Sequence, residues 1–355
     1  MNINERLEAF AKLSEVLVSY NGEELQNRPY SSTLDKALRE ASFHNGWFTR
    51  DNLLTAIHNL GVMIRRDQLK TWVDRYPQLT GGHNSPVTVA VIMAGNIPLA
   101  GFHDFLCVLM SGNIFLGKLS SSDKFLLPAL AAILTEIEPR FNSFISFADN
   151  QLKGFDAVIA TGSNNSSRYF NQYFGGYPHI IRHNRNSAAI INGSETPQEL
   201  NGLAEDIFLY FGMGCRSVSF LMLPTGYDIS TFYEAMLPFA RVRDHNKYMN
   251  NYTYNMSLYL MDSKPFLDNG FLLLRRNESP ASPVSVLHYI EYEKPEEIVA
   301  ILELQKELLQ CVVGKNIKFP DLVSFGNAQK PTLSDYADGV DTMAFLMNLK
   351  NISRI

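Results

Sequence analysis

"VTVAVIMAGNIPLAGFHDFLCVLMSGNIFLGKLS", residues 87–120, is the stretch that decides the fold of this 355-residue chain. It opens on a short β-branched run, 87–94, of the kind that is buried on both faces of a parallel sheet. A helical pattern follows at 97–110, with Pro98 in its first turn, and a second strand pattern follows at 113–119. A strand, helix and strand of these lengths predict a parallel sheet covered by helices.

The alternation of strands and helices continues over most of the chain. Strand patterns recur at 217–223 and 284–292, and a strong helical pattern follows at 295–310. Residues 1–80 have the apolar spacing of amphipathic helices. The sequence therefore predicts an α/β protein with a Rossmann-like, doubly wound domain, a second α/β domain and a helical N-terminus.

Composition and charge exclude several classes of protein. With 46% hydrophobic residues and a formal net charge of -5, the chain can bury a large core and has no basic tract that would attract nucleic acid. The longest apolar stretch, 125–134, is too short to span a bilayer, and the N-terminus is charged where a signal peptide is apolar. We expect a cytoplasmic protein with no membrane span and no nucleic-acid partner.

The cysteines are spread along the chain without any spacing typical of metal sites or disulfide frameworks. Cys107 and Cys311 lie in apolar runs, which is typical of buried thiols. Cys215 instead follows two glycines, where a helical run gives way to a strand, and is the candidate nucleophile. A preceding helix C-terminus would raise the pKa of this thiol, whereas Arg216 or Arg182 would lower it if either points inward; the sequence leaves both open.

Polar clusters mark the candidate binding site, because sheets of this class bind ligands at the carboxyl ends of their strands. We expect four clusters there: "AGNIPL" (94–99), "GKLSSSD" (117–123), "TGSNNSSR" (161–168) and "GMGCRS" (212–217). Taken alone, each is more typical of a plain turn, a solvated strand end or an N-cap. Only their order and spacing carry weight.

In this order the clusters resemble the aldehyde dehydrogenase superfamily. Five stretches correspond to motifs of the superfamily. "AGNIPL" corresponds to "PWNFPL", "GNIFLGKLS" (112–120) to "GNxVVxKPS", and "ATGS" (160–163) to "FTGS". "GMGCRSVS" (212–219) corresponds to "GQxCxxxxR", and "ESPASPVSVLHY" (278–289) to "EIFGPVxxV". Within it, "GCRSVS" and "FGNAQKPTLSDYADGVDTMAFL" (325–346) are similar to the LuxC-type fatty acyl-CoA reductases. The resemblance covers most of the chain and implies an aldehyde-dehydrogenase-like fold.

The resemblance also implies a division of the chain. The expected parts are a helical segment at 1–80, a dinucleotide-binding domain at 81–212 with part of the C-terminus, a catalytic thiol domain at 213–325 and a C-terminal return or oligomerisation segment at 326–355. We expect the two larger domains to be tightly apposed, because the sequence contains no long linker.

One departure from the superfamily decides the reaction that the resemblance implies. Ordinary aldehyde dehydrogenases carry "ELGGK", whose glutamate activates the water that hydrolyses the thioacyl enzyme, whereas this chain has "RHNRNSAAII" (182–191). Arg182 takes the place of that glutamate, so an acyl group on Cys215 should hydrolyse slowly and exchange with a thiol instead. This favours NAD(P)H-dependent reduction of a fatty acyl-CoA or acyl-carrier thioester to the aldehyde, with the Asn96 amide and the Cys215 N–H as oxyanion donors.

The cofactor residues follow from the same resemblance. The expected contacts, from the adenosine ribose through the pyrophosphate to the nicotinamide ribose, are Lys118, Ser120, Gly162, Ser163 and Glu278. Ser121 lies three residues beyond Lys118, where NAD-preferring members often carry a glutamate that repels a 2′-phosphate. We expect NADPH, with NAD as the alternative, and no metal.

Two rival functions remain open. One is a cofactor-independent acyltransferase or thioesterase that uses Cys215, and the other is a non-catalytic subunit of an acyl-transfer complex. For the reductase, the expected donor is acyl-CoA or an acyl carrier protein, and an acyl-transferring enzyme is a further candidate partner. We expect the protein to form a homodimer.

Overall fold

The computed structural model describes residues 1–22, 30–80, 85–149 and 151–349, and for Asn164 the backbone alone. Contacts divide the chain into two compact units. The first consists of Met1–His183 together with Thr332–Ile355, and the second of Asn184–Pro331. The four-part division expected from the sequence stays a prediction, and its positions 23–29, 81–84, 150 and 350–355 lie outside the described residues.

A parallel sheet forms the centre of the first unit. Its strands are β1 Thr88–Ile92, β2 Ile114–Lys118, β3 Ile145–Phe147, β4 Ala157–Thr161 and β5 His179–Arg182. They pair in the order β3-β2-β1-β4-β5, all in parallel. The chain therefore leaves β1 toward one side of the sheet and later crosses to its other side, which opens a crevice at the carboxyl ends of β1 and β4.

Helices cover this sheet and precede it. They are α1 Ile3–Ser19, α2 Ser31–His44, α3 Arg50–Met63, α4 Arg66–Val73, α5 Phe102–Met110, α6 Leu126–Ile137 and α7 Asn164–Phe174. A capping box starts α1: the Asn2 side chain accepts from the Glu5 N–H at 3.0 Å, and the Glu5 carboxylate accepts from the Asn2 N–H at 2.7 Å. Phe10, Phe105 and Leu134, from three of these helices, are fully buried in one core.

The start of α5 differs from the prediction. The helix expected at 97–110 begins only at Phe102, and residues before it form turns in which Leu99 has a φ of 59°. Pro98 therefore precedes the helix and does not lie in its first turn. Pro128 is the third residue of α6, where its missing N–H breaks no helical hydrogen bond, so the helix continues past it.

A second sheet forms the centre of the second unit. Its strands are β6 Asn186–Ile190, β7 Val218–Pro224, β8 Leu267–Asp268, β9 Leu273–Arg276, β10 Val286–Tyr292 and β11 Leu309–Val313. They pair in the order β11-β6-β7-β10-β9-β8. Every pair is parallel except that of β8 with β9.

The helices of the second unit are α8 Pro197–Phe208, α9 Ile229–Met236, α10 Asn246–Met261 and α11 Pro295–Gln305. Phe220 and Met222 of β7 pack with Ile298 and Leu302 of α11 in a dry cluster. The helix expected at 295–310 ends earlier, because β11 begins at Leu309. The predicted α/β fold with parallel sheets and a helical N-terminus is confirmed.

The chain finally returns to the first unit. There Tyr336 accepts a hydrogen bond from the Trp72 indole at 2.8 Å, and α12, Thr342–Asn348, packs against α5. The Asn113 amide donates to the Leu346 carbonyl of α12 at 3.3 Å. Within the described ranges, no helix combines the length and the apolarity that crossing a bilayer requires.

A buried arginine joins the N-terminal helices to this sheet. Arg6 of α1 is 1% exposed, and its guanidinium donates to the carbonyls of Leu109 at 3.3 Å and Met110 at 3.0 Å. Those carbonyls end α5, so Arg6 satisfies acceptors that the helix itself leaves open. Burial lowers the pKa of Arg6 to about 10.

We expect Arg6→Met to lower the free energy of unfolding by about 1 to 3 kcal/mol, because the buried Met110 carbonyl loses its donor while the Leu109 carbonyl keeps the Gly112 N–H. Urea denaturation measures the change. Arg66→Met is the matched control, since Arg66 lies 2.5 Å from Glu8 in an exposed ion pair, and its loss should change stability by less than about 1 kcal/mol. Equal effects of the two substitutions would contradict the role given to Arg6.

Candidate active site

The carboxyl edge of the first sheet brings three of the predicted clusters together. In the register of the sheet, Ile92 at the end of β1 pairs with Lys118 at the end of β2 and with Ala160 near the end of β4. The turn that carries Asn96 follows the first of these strand ends, and Gly162 follows the last. Clusters distant in sequence thus share one edge.

The turn that carries Asn96 is fixed by the loop after β2. A Cβ on Gly95 would lie 2.6 Å from the Ser120 Cβ, so only glycine permits this approach. Asp123 is buried, and its Oδ2 accepts from the Leu99 N–H at 2.9 Å. Burial raises the pKa of the Asp123 carboxyl. Asn96 therefore lies on a turn whose two ends are both held.

The loop after β2 carries the predicted ribose contacts. The Lys118 ammonium donates to the Asp149 carbonyl at 2.6 Å, which keeps its charge at the sheet edge. Ser120 accepts through its hydroxyl from the Ser122 N–H at 3.2 Å. His44 Nε2 lies 2.9 Å from the carbonyl oxygen of Ser121, whose side chain is exposed. The exposed Ser121 side chain presents no charge at this edge.

The start of α7 forms the other side of the crevice. The Ser163 hydroxyl accepts from the Ser166 N–H at 3.2 Å and so caps the helix. A Cβ on Gly162 would lie 2.8 Å from both Ser166 Cβ and Phe170 Cε2, so the chain enters the helix without a side chain there. A helix N-terminus at the carboxyl ends of parallel strands is suited to an anionic group.

In the second unit, the thiol loop, residues 213–217, carries Cys215. Its side chain is exposed, whereas Cys107 and Cys311 are buried, as the sequence predicted. Just before the loop, Tyr210, Phe211 and Gly212 have φ angles of 54°, 57° and 73°. Successive left-handed residues are costly for aromatic side chains and are held only where packing determines them.

The position of the thiol loop corrects one prediction. The loop leads into the amino end of β7 and does not follow the carboxyl end of a strand. A short helical turn at 209–212, which follows α8, delivers the chain to it. The cluster "GMGCRS" therefore differs from the other three in its place on a sheet.

Two neighbours hold the thiol loop by its backbone and its arginine. The Ser187 hydroxyl of β6 donates to the Cys215 carbonyl at 2.9 Å, and the sulfur of Cys311 lies 3.1 Å from the same hydroxyl. The Arg216 Nε donates to the Ala328 carbonyl. The guanidinium next to the thiol thus binds the backbone of residue 328, a contact that the sequence did not predict.

Arg182, at the end of β5 in the first unit, is buried in an ion pair. Its two terminal nitrogens lie 2.5 Å and 2.8 Å from the carboxylate of Asp104, and the second also donates to Thr342 at 2.9 Å. A bidentate pair of this kind uses both terminal nitrogens of the guanidinium. The expected catalytic role of Arg182 stays a prediction, and these contacts give it a structural one.

Glu278 follows the carboxyl end of β9. Its carbonyl accepts from the Gln305 amide of α11 at 2.7 Å. With Arg276 and Ile290 it lines a surface pocket of about 510 Å³. The glutamate thus lies beside α11, and its expected contact with a nicotinamide ribose stays a prediction.

Another buried carboxylate, Asp206, binds the segment that the Arg216 guanidinium also contacts. Asp206 of α8 is fully buried, and its oxygens accept from the N–H groups of Gly326 at 2.7 Å and Ala328 at 2.9 Å. Burial outweighs these two bonds and raises its pKa to about 6. Sequence reasoning missed Asp206 and Ser187, and the "FGNAQK" stretch (325–330) signalled the partners of Asp206 alone. In the described part of the chain, no group of His, Cys, Asp or Glu side chains is placed to hold a metal ion.

One family profile matches the sequence. Its description is "Acyl-CoA reductase (LuxC)", and it matches residues 19–236, more than half of the chain. The matched range contains the turn of Asn96, the start of α7 and the thiol loop. A comparison with curated proteins finds no match.

Solved aldehyde dehydrogenases share the fold. One from Bacillus cereus, solved as an NAD+ complex, is 13% identical, with a TM-score of 0.61 over 90% of this chain and 73% of its own. KauB from Pseudomonas aeruginosa is 13% identical, with a TM-score of 0.61 over 88% and 72%. Aldehyde dehydrogenase C from Pseudomonas syringae, solved as a mutant with NAD+ and octanal, is 12% identical, with a TM-score of 0.61 over 92% and 79%. The expected aldehyde-dehydrogenase-like fold is confirmed.

The raised pKa of Asp206 predicts a pH dependence of stability. The folded value of about 6 exceeds the ordinary 3.8, so the folded state binds this proton more tightly than the unfolded chain does. The contribution of Asp206 to the free energy of unfolding is therefore fully present below about pH 4 and is lost as the pH rises through about 6. Relative to Asp206→Asn, the wild type should lose stability over this interval in thermal unfolding.

Asp228→Asn is the matched control for Asp206→Asn. Asp228 is the exposed N-cap of α9, and hydrogen bonds with Ser230 lower its pKa, so its contribution has the opposite sign. A difference between wild type and Asp206→Asn that does not change with pH would contradict the assignment.

Proposed function

Because the chain belongs to the acyl-CoA reductase (LuxC) family and is therefore an oxidoreductase, we propose that it reduces an acyl thioester to the aldehyde through a thioacyl enzyme on Cys215. The observation that carries the proposal is the exposure of this thiol on a held loop, while Cys107 and Cys311 are buried. An exposed thiol can reach the carbonyl carbon of a thioester, and a buried thiol cannot.

The proposed reaction has two stages. The Cys215 thiolate adds to the thioester carbonyl, and the tetrahedral oxyanion then breaks its bond to the carrier sulfur, which leaves as a thiolate and takes a proton. Hydride addition to the new thioester gives a second oxyanion, which expels the Cys215 thiolate and releases the aldehyde. We assign the Asn96 amide and the backbone N–H of Cys215 as donors to both oxyanions.

A nicotinamide cofactor, when bound, supplies the hydride, and NADPH is proposed with NAD as the alternative. The carboxyl edge of the first sheet fits such a group: the start of α7 suits the pyrophosphate, and Lys118 adds a positive charge at the same edge. Ser120, Gly162 and Ser163 are the other proposed contacts there. The uncharged Ser121 supports the phosphorylated cofactor.

The donor is proposed to be an acyl-CoA or an acyl carrier, with water excluded as the acceptor. The stretch 182–191 contains no carboxylate, and the buried Asp104 is paired with Arg182. A thioester on Cys215 then lacks a general base for hydrolysis at this position. Exchange between two thiols needs no such base, because the attacking thiolate is already a nucleophile.

We expect intact-mass analysis to detect an acyl adduct on the wild type after addition of fatty acyl-CoAs of several chain lengths. Added NADPH should discharge the adduct and release the aldehyde. Cys215→Ala should form no adduct, because it lacks the attacking sulfur. Cys107→Ala, which removes a buried thiol from the first unit, is the control and should keep the adduct.

The same experiment separates the rival functions. Release of free coenzyme A without NADPH, in repeated turnovers, would identify an acyltransferase or thioesterase and overturn the reductase. No adduct with any acyl-CoA or acyl carrier protein, together with no binding of NADPH, would indicate a non-catalytic subunit.

We expect Asn96→Ala to slow adduct formation by about 10²- to 10³-fold, as the loss of one oxyanion donor does in other enzymes. Rapid quenching followed by mass analysis measures the rate. Asn142→Ala, on an exposed residue of the same unit, should leave the rate unchanged. An unchanged rate in Asn96→Ala would remove Asn96 from the mechanism.

A further inference from the structure

The segment of residues 326–329 lies directly on α8. Asp206 accepts from two N–H groups of this segment, and Gly202 lies one helical turn before Asp206. A Cβ on Gly202 would lie 3.0 Å from the nitrogen of Gly326, which itself has a φ of 80°. The backbones of the helix and the segment are therefore in contact, and Asp206 fixes their register.

The same segment reaches the thiol loop through Gln329. Its side-chain amide, 8% exposed, donates to the Ser217 hydroxyl at 2.9 Å. That hydroxyl also accepts from the Gly214 N–H at 3.1 Å. A serine oxygen accepts two hydrogen bonds, so both of its acceptor positions are filled. Gln329 thereby orients the hydroxyl that holds the backbone of Gly214.

Cys215 lies between two peptide groups that are held. The peptide before Gly214 is held by its N–H on Ser217, and the peptide after Cys215 is held by its carbonyl on Ser187 at 2.9 Å. The peptide that carries the Cys215 N–H lies between them, and its carbonyl, that of Gly214, accepts from the Ser217 N–H at 3.0 Å. Ser217 therefore binds this peptide through its backbone and the preceding peptide through its hydroxyl. Ser187 and Ser217 are 0% and 1% exposed, which removes competition from water.

We propose that Gln329 is a positioning residue that aims the Cys215 N–H at the developing oxyanion, with Asp206 anchoring the segment from which it acts. The inference rests on the proposed function, because it needs an oxyanion to form at Cys215. Gln329 touches no reacting atom and acts through Ser217 and Gly214. Without the amide, the Ser217 hydroxyl can turn away from the Gly214 N–H, and the thiol loop loses one of the hydrogen bonds that hold it.

The test compares two reactions of the same thiol. Adduct formation from an acyl-CoA passes through an oxyanion, whereas alkylation of Cys215 by iodoacetamide does not. We expect Gln329→Ala to slow adduct formation by about 10- to 100-fold and to leave the alkylation rate within about 2-fold, because alkylation needs the sulfur alone. Gln198→Ala, on an exposed residue of α8, is the matched control and should change neither rate.

A double-mutant cycle distinguishes the loss of the hydrogen bond between Gln329 and Ser217 from a general loss of structure. Ser217→Ala should slow adduct formation in the same range, and the double variant should be no slower than the slower single one, because both act through one hydrogen bond. Multiplicative effects, equal slowing of both reactions, or an unchanged adduct rate in Gln329→Ala would each overturn the inference. A wild type that forms no adduct would overturn the proposed function and the inference together, whereas an acylated wild type isolates the role of Gln329.

Discussion

Parallel pairing of strands is the constraint on which both units depend. A tight turn cannot join parallel strands, so each connection must cross a face of the sheet before the next strand begins. In the first unit this gathers the turns after β1, β2 and β4 at one edge, where small and polar residues can surround a ligand. In the second unit the chain enters β7 from α8, and the thiol loop lies on the entry side of its strand.

Local signals were enough to predict much of the fold. The β1, α5 and β2 elements follow from residues 87–120, because the apolar periods and the turn residues lie within the stretch itself. The late start of α5 could not be predicted in the same way. Its turn depends on Asp123, which accepts from Leu99 across 24 positions of sequence. A carboxylate 24 positions away does not change the helical periodicity of the residues around Pro98, so the sequence pattern cannot show its effect.

The candidate site also combines features that local sequence predicts with features that depend on distant residues. The exposure of Cys215 followed from its glycine neighbours, whereas the groups that hold it come from far away: Ser187 is 28 positions earlier, and Gln329 binds Ser217 across 112 positions. Arg182 is the sharper case. Its replacement of a glutamate suggested chemistry, yet its partner Asp104 lies 78 positions earlier and makes it part of a buried pair. The sequence shows that Arg182 is positively charged, but its pairing with Asp104 is visible only in the folded structure.

The return of the chain to the first unit has a consequence for synthesis on the ribosome. Tyr336, Thr342 and Leu346 bind groups of the first unit, yet they emerge after the whole second unit has been made. The second unit, Asn184–Pro331, is continuous in sequence and can fold as soon as it emerges. The first unit must instead keep Arg182, Asn113 and Trp72 without their late partners until residues 336–346 have been made. The first unit thus begins before the second unit on the ribosome and is completed after it.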